Sequence, residues 1–372
     1  MKSPCYLKGR GLLIACVCTA CSVANAKSEV WRRTTLGEGL LGDVSKMNIE
    51  RIVTDGDLDG LLSAAILRRV WNAVPVRFSH PAEVRRGGVD DWMTRGTAVL
   101  DLPFHPMCGL HIDHHLTNKP TPAQQIAAAE EGCNIVWEDA LSAARVCFNT
   151  FQESVNLDDI ATWMEMVDKL DGGKISRQEF LSEHPIVWIG RTIDATDDIY
   201  CQTILQHIVD GVMPHDLVEL PIVAEKIGHA KDEFRQLQAM LDECSNVVDR
   251  MAIVRLDDKG IRTNGYLVTA HFGDQCDACM IVHGYLDPGS DDEKWPLSAS
   301  FYSNSFLHEN GGLFDLTQLA TAFDIDGGGH ANACGCRIQP LSKSLQKEDR
   351  GVDVNDIERN IDAWMLMWAN RS

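Results

Sequence analysis

The chain has 372 residues, 13 cysteines and a formal net charge of −20. That length holds a large core and, by default, two domains. The acidic balance excludes a long nucleic-acid duplex as partner, because duplex binding needs basic surface to displace counterions; a short or mononucleotide-sized phosphate ester is not excluded.

At the N-terminus Lys2, Lys8 and Arg10 precede an apolar stretch from Gly11 to Ala24, and Ala24-Asn25-Ala26 fits a small-x-small cleavage site. This is the pattern of a secretory signal peptide, and the run is too short to span a bilayer. Met47 stands just before the first predicted strand, so residues 1–46 also read as an extension outside the fold. The cysteines are scattered and odd in number, so they read as free thiols, which favours the cytoplasm. Secretion or a periplasmic location is the alternative if residues 1–26 are a genuine signal.

Glu50 to Thr54 is a predicted buried strand. It runs into Asp55-Gly56-Asp57-Leu58-Asp59-Gly60, after which Leu62, Ile66 and Val70 recur at helical spacing. Strands are predicted at Val74 to Ser79, at Thr97 to Leu100 ending on Asp101, and at Gly109 to Ile112 ending on Asp113-His114-His115. Helices follow at Pro120 to Ala129, Leu141 to Phe151 and Leu157 to Asp168, and a long one at Pro221 to Ser245. The rest is strand-rich, with strands at Met251 to Leu256, Tyr266 to Phe272, Met280 to Leu286, Leu297 to Tyr302 and Cys334 to Ile338. Leu313 to Phe323 reads as a helix, Asp326 to His330 as a loop and Asn355 to Trp368 as a closing helix. The predicted fold is α/β: a mainly parallel N-terminal sheet domain (47–210), a helical connector (211–248) and a smaller α/β domain (249–372).

Acidic and imidazole groups recur just after strands, where open α/β sheets bind ligands. Three alternating carboxylates repel one another unless cations lie between them. An EF-hand is excluded at 55–66 because its twelfth position is Ile66. A second stretch, 168–179, has Asp168, Gly173 and Glu179 at calcium-loop positions, but Leu170 and Gly172 cannot supply side-chain oxygens. His111-Ile112-Asp113-His114-His115 is not the H-E-x-x-H pattern of a zinc protease. Oxygen-rich ligation with one or two imidazoles suits Mn²⁺ or Mg²⁺ better than zinc. Gly327-Gly328-Gly329-His330 allows close backbone approach to a phosphate. Cys276/Cys279 and Cys334/Cys336 lack zinc-ribbon spacing and are expected to be small buried residues.

Together, the D-x-D-x-D-G loop of 55–60, Asp113-His114-His115 and Gly327-Gly328-Gly329-His330 resemble the DHH phosphoesterase family, with its DHH-associated C-terminal domain. The resemblance spans about residues 48–340. It implies a two-domain hydrolase with its active site in the cleft between the domains, holding two Mn²⁺ ions, with Mg²⁺ as alternative. The implied metal ligands are Asp55, Asp57, Asp59, Asp101, His114 and Asp168. His115 and Asp101 are the implied catalytic residues, and Gly328, Gly329, His330 and His115 the implied substrate contacts. Two departures stand out. Val53 occupies a position where many family members carry histidine, and Asp55 supplies a ligand-type group instead. Phe301-Tyr302-Ser303 stands where the oligonucleotide-hydrolysing branch carries arginine. The implied substrates are short oligonucleotides, adenosine bisphosphate, cyclic dinucleotides, and polyphosphate or pyrophosphate, with no membrane span and a homodimer left open. Two other readings are a non-catalytic nucleotide-binding protein of this fold and a calcium-binding protein using 168–179.

Overall fold

The computed structural model describes residues 44–371 apart from 262, 288 and 290–293. The signal-like stretch lies outside the described residues. The first sheet is built from β1 (Arg51–Asp55), β2 (Val76–Ser79), β3 (Thr97–Leu100), β4 (Leu110–Asp113) and β5 (Asn134–Trp137). It is entirely parallel, in the order β2-β1-β3-β4-β5. β3 and β4 are buried at every position, as parallel strands covered on both faces must be. Between and after the strands lie α1 (Leu58–Val70), α2 (Pro81–Arg85), α3 (Pro122–Glu130) and α4 (Ala143–Phe151). Asp57 caps α1 by accepting from Gly60 N, and Leu58 through Leu67 are all buried. Apolar residues all round make α1 a central helix rather than a surface one.

A helical run follows: α5 (Ala161–Asp171), α6 (Arg177–Phe180), α7 (Pro185–Thr192), α8 (Asp198–Val209), α9 (Pro214–Leu217) and the long α10 (Pro221–Cys244). The second domain has β6 (Ser245–Val248), β7 (Met251–Asp257), α11 (Gly265–Phe272), β8 (Ala278–Gly284), β9 (Ser298–Ser303), α12 (Thr317–Ala320), β10 (Gly328–His330), β11 (Ala333–Arg337) and α13 (Val354–Ala369). Its sheet runs β10-β11-β9-β8-β7-β6, with only β7 and β8 parallel. Phe301, Trp364 and Trp368 anchor the core on one face, and Ile281, Val254 and Val268 the core on the other. No described helix is long and apolar enough to cross a membrane.

Several local expectations change. Tyr266 to Phe272 is helix α11, not a strand: Asn264 accepts from Leu267 N to cap its start, and Gly273, with φ +57°, ends it. A short apolar run carries no period that separates a buried helix from a strand, and here the two caps decide. The helix expected over 313–323 shrinks to the single turn of α12, and β5, β6 and β10 are strands in addition to those expected. The helix expected to end at Asp168 continues to Asp171. The calcium loop at 168–179 is not built. Asp168 is bonded to Ser142 and Arg145, and Glu179 closes a capping box on Ser176 while pairing with Lys169 at 2.7 Å. Cys276 and Cys279 lie in the core on one face of the second sheet, and Cys334 and Cys336 in the core on the other, so the sheet separates the two pairs.

The two domains share packing. Leu267 and Ala270 of α11 belong to the large N-terminal core, and Tyr266 stacks with Phe180 and Phe306 at centroid distances of 6.2 and 5.9 Å. Arg177 Nε donates to Ala270 O at 2.6 Å.

Candidate metal centre and substrate cleft

The order β2-β1-β3 puts the switch in strand direction of travel between β1 and β3, the crevice where parallel sheets bind ligands. Asp55 ends β1, Asp101 follows β3, and Asp113 ends β4, so three neighbouring strands deliver acids to one edge. Beyond them lies a cavity of about 570 Å³ lined by Asp55, Asp57, Asp59, Asp101, His115 and Asp171, with Tyr266 contributed by the second domain. Asp101 has φ +55°, a left-handed conformation that a non-glycine residue adopts only when its surroundings force it.

Each group is held from behind. Gly56 N donates to Asp55 Oδ1 at 2.6 Å and Gly60 N to Asp57 Oδ1 at 2.9 Å. Asp59 accepts from Ala143 N and Ala144 N, both at 2.7 Å, so it sits on the positive N-terminus of α4. Gly60 has no room for a side chain: a Cβ there would lie 2.3 Å from Asp55 O. His114 Nδ1 lies 3.2 Å from Ala140 O, which makes Nδ1 the donor and turns Nε2 inward. Around Nε2 stand Asp171 Oδ2 at 3.1 Å, Asp101 Oδ1 at 3.7 Å and Asp59 Oδ2 at 3.9 Å. Nε2 and Asp101 Oδ1 are buried, and neither has a hydrogen-bond partner among the described residues.

Charge follows from that crowding. Burial, then repulsion from Asp57, pushes the Asp55 carboxyl up to about 8. Burial and Asp171 push Asp57 up to about 6, and Asp59 and Asp101 are driven well above the carboxylate range by the same two causes, burial and neighbouring acids. Burial alone pulls His114 down, but Asp171 and Asp59 outweigh it and raise it to about 10. Without a cation the cluster is electrically tolerable only by holding protons. Two overlapping sets, Asp59-His114-Asp171 and Asp101-Asp113-His114-His115, each bring ligand atoms within 4.8 Å of one another. An inward imidazole nitrogen whose proton a cation would displace, an orphaned carboxylate oxygen and surplus negative charge fit a hard divalent cation.

Asp113 is different. It is fully buried and saturated, accepting from His114 N at 2.7 Å, His115 N at 3.1 Å, His115 Nδ1 at 2.8 Å and Asn118 Nδ2 at 2.6 Å. Burial works to raise its pKa, yet the bonds from His115 hold it below the usual carboxylate range. Asp113 therefore orients His115, whose ring forms part of the cleft wall.

The structure does not bring every expected residue together. Asp168 accepts from Ser142 Oγ at 2.7 Å and from Arg145 Nε and Nη2 at 2.9 and 2.5 Å, tying α5 to α4, and is not among the cleft-lining residues. Asp171, one helical turn further on, faces His114 instead. The sequence signal for it is the i+3 spacing within α5, visible only once the helix is known to continue past Asp168. Gly328, Gly329 and His330 form edge strand β10, paired with β11, and are likewise not among the described residues lining the cleft. Gly329 has φ +139° and a Cβ there would lie 2.7 Å from Ala333 O, so this glycine serves strand approach.

No family model matches the chain, and no curated protein matches it. Solved structures do. A pGpG-specific phosphodiesterase, PggH from Vibrio cholerae, superposes with a TM-score of 0.66 at 19% identity, covering 87% of this chain and 99% of its own. The DHH domain of a member of the s1p family of ribosomal proteins gives 0.51 at 12% identity, covering 87% of each chain. A manganese-bound RecJ exonuclease gives 0.48 at 14% identity, covering 86% of this chain and 90% of its own. The chain has the two-domain α/β fold of the DHH-domain proteins.

Proposed function

We propose that this DHH-fold chain is a metal-dependent phosphoesterase that hydrolyses the phosphodiester of a small nucleotide or short oligonucleotide, with Mn²⁺ as its ion and Mg²⁺ as substitute. The observation that carries the reading is the buried His114 Nε2 facing Asp59, Asp101 and Asp171 with no hydrogen-bond partner among the described residues. Asp57, Asp59, Asp101, His114 and Asp171 are the proposed ligands, with Asp55 beside them at the end of β1. Bound there, divalent cations supply Lewis-acid stabilisation of phosphoryl oxygens and a more acidic water.

The chain's own groups do the rest. The bond from His115 Nδ1 to Asp113 holds the ring and leaves Nε2 free to meet a phosphoryl oxygen. Asp101 Oδ1 lies 3.7 Å from His114 Nε2, in reach of the same ion. Ile175, Phe180, Val187 and Tyr266 give the cleft an apolar wall that excludes water and seats a base. His330, outside that wall, would meet the part of a substrate that extends toward the second domain. The pGpG of the Vibrio neighbour is the first substrate to try, beside adenosine bisphosphate, a cyclic dinucleotide and pyrophosphate.

The test is a Mn²⁺-dependent hydrolysis assay over that panel with the intact chain and with Asp101→Ala. Turnover of a phosphodiester by the intact chain, abolished in a folded Asp101→Ala, is the expected result. Undiminished turnover in the variant refutes the assignment.

A further inference from the structure

Arg191 lies on α7 in the wall of the same cleft, and among the described residues lining it Arg191 is the only arginine or lysine. It is 7% exposed. Its guanidinium carbon sits 4.6, 4.4 and 4.9 Å from the ring centroids of Phe180, Trp188 and Phe234. Nη2 donates to Phe180 O at 2.5 Å, a carbonyl rather than a carboxylate, and Nε and Nη1 are buried with no partner among the described residues. Aromatic faces offset some of the cost of burying a cation, but they do not accept N–H groups lying in the guanidinium plane. A buried charge with unmade hydrogen bonds is expensive to keep. A structural brace needs no such cost, since an apolar side chain of similar volume would pack there at least as well.

The position points to the missing acceptor. Gly190 lies against Leu58, a Cβ there coming 3.3 Å from Leu58 Cδ2, and Gly56 packs on Ala195 with no room for a side chain. The segment 190–195 is thus fastened to the aspartate loop itself. A ligand whose phosphate reaches the acids extends along a wall of Ile175, Phe180, Val187 and Tyr266 toward Arg191. A planar base fits such a wall. Among the bases, guanine presents N7 and O6 side by side as two acceptors, which match an arginine fork; adenine presents an acceptor beside a donor and does not.

We propose that Arg191 reads the guanine base of a nucleotide whose phosphate lies at the aspartate and histidine cluster, which makes it the specificity-determining residue of this site. The proposal rests on the phosphoesterase reading above. Because Nε and Nη1 are closed off in the ligand-free chain, binding turns the guanidinium out of its aromatic cage, and Trp188 loses the guanidinium while Lys231 Nζ stays 5.0 Å from its ring centroid.

The test titrates the full-length chain, with Mn²⁺ present, with GMP and with AMP. The intact chain binds GMP more tightly, and Arg191→Met removes about tenfold or more of that preference while AMP binding holds. Arg191→Lys keeps the charge without the fork, so it retains the fold and still loses the preference. GMP changes the tryptophan fluorescence of the intact chain, and Trp188→Phe removes that change. Three results overturn the proposal: no preference for GMP in the intact chain, an equal loss of GMP and AMP affinity in both variants (a phosphate contact), or a lower melting temperature with the preference intact (a brace only). Failure of the underlying reading is a separate outcome: the intact chain then hydrolyses no phosphodiester with Mn²⁺, whatever Arg191 does.

Discussion

Two aspartates one helical turn apart, Asp168 and Asp171, separate a structural acid from a proposed ligand. Asp168→Asn removes the charge that accepts Arg145 Nε and Nη2 at 2.9 and 2.5 Å. The Asp168 side chain is 10% exposed and that of Arg145 31%, so the pair is neither a free surface bridge, worth under about 1 kcal/mol, nor a fully buried one, costing about 3–5 kcal/mol to break. A loss of about 2 kcal/mol lies between those limits. Asp171→Asn removes an acid that repels Asp55, Asp57, Asp59 and Asp101 and attracts His114, so metal-free stability changes little. Cation affinity behaves the opposite way. Removing a mere supporting partner of a metal ligand costs about 10–100-fold in affinity, and loss of a direct carboxylate is expected to reach at least about 100-fold. At a Mn²⁺ concentration about 100 times the dissociation constant, binding stabilises the fold by about 2.7 kcal/mol, a melting shift of several degrees that Asp171→Asn should erase. Thermal melts with and without Mn²⁺, paired with calorimetric Mn²⁺ titration, measure both effects. If Asp168→Asn abolishes the Mn²⁺ shift while Asp171→Asn keeps it, the assignment is reversed and the reasoning from geometry fails.

His115→Gln should lower kcat by about 10²–10³, the usual cost of one transition-state donor, while leaving the Mn²⁺-induced melting shift in place; loss of that shift would make His115 a ligand instead. The raised site carboxylates bind more protons in the folded chain than in the unfolded one, so metal-free stability falls as pH rises from about 4, the unfolded carboxylate value, through 6 and 8, the folded values of Asp57 and Asp55. Mn²⁺ displaces those protons, so calorimetry in buffers of different ionisation enthalpy should register proton release, largest below pH 8; buffer-independent heats there would contradict the charge argument. Asp356 is fully buried and accepts from Arg350, Arg359, Leu341 N and Asp353 N, which hold its pKa low against burial. Its stabilisation is complete above the unfolded value near 4 and fades as pH falls below it, and Asp356→Ala should destabilise the second domain by about 3–5 kcal/mol at pH 7, read by denaturant unfolding.

The first four parallel strands and the D-x-D-x-D-G loop were legible because both rest on local rules. A buried parallel strand is a continuous apolar run, as in Thr97–Leu100, and a helix start declares itself through a cap such as Asp57. Local rules fail where two conformations bury the same side chains. Tyr266 to Phe272 reads as strand until Asn264 and Gly273 are seen to cap a helix, and the helix that reads as ending at Asp168 runs one turn past it.

The chemical repertoire of the site was therefore set by sequence alone: alternating aspartates, then an acid after β3, then Asp113-His114-His115 after β4. Each sits at a strand end, and parallel strands all end on one side. Which acid turns inward was decided only by tertiary packing. Asp168 and Asp171 have the same chemistry and are one turn apart, but α4 brings Arg145 and Ser142 to the first, while the loop after β4 brings His114 to the second. Arg191 was equally silent as a sequence, because its three rings and its missing acceptor come from α6, α7 and α10 converging over the cleft. Contacts between residues distant in the chain carry no local period, and for that reason the partners of these side chains had to be seen in three dimensions.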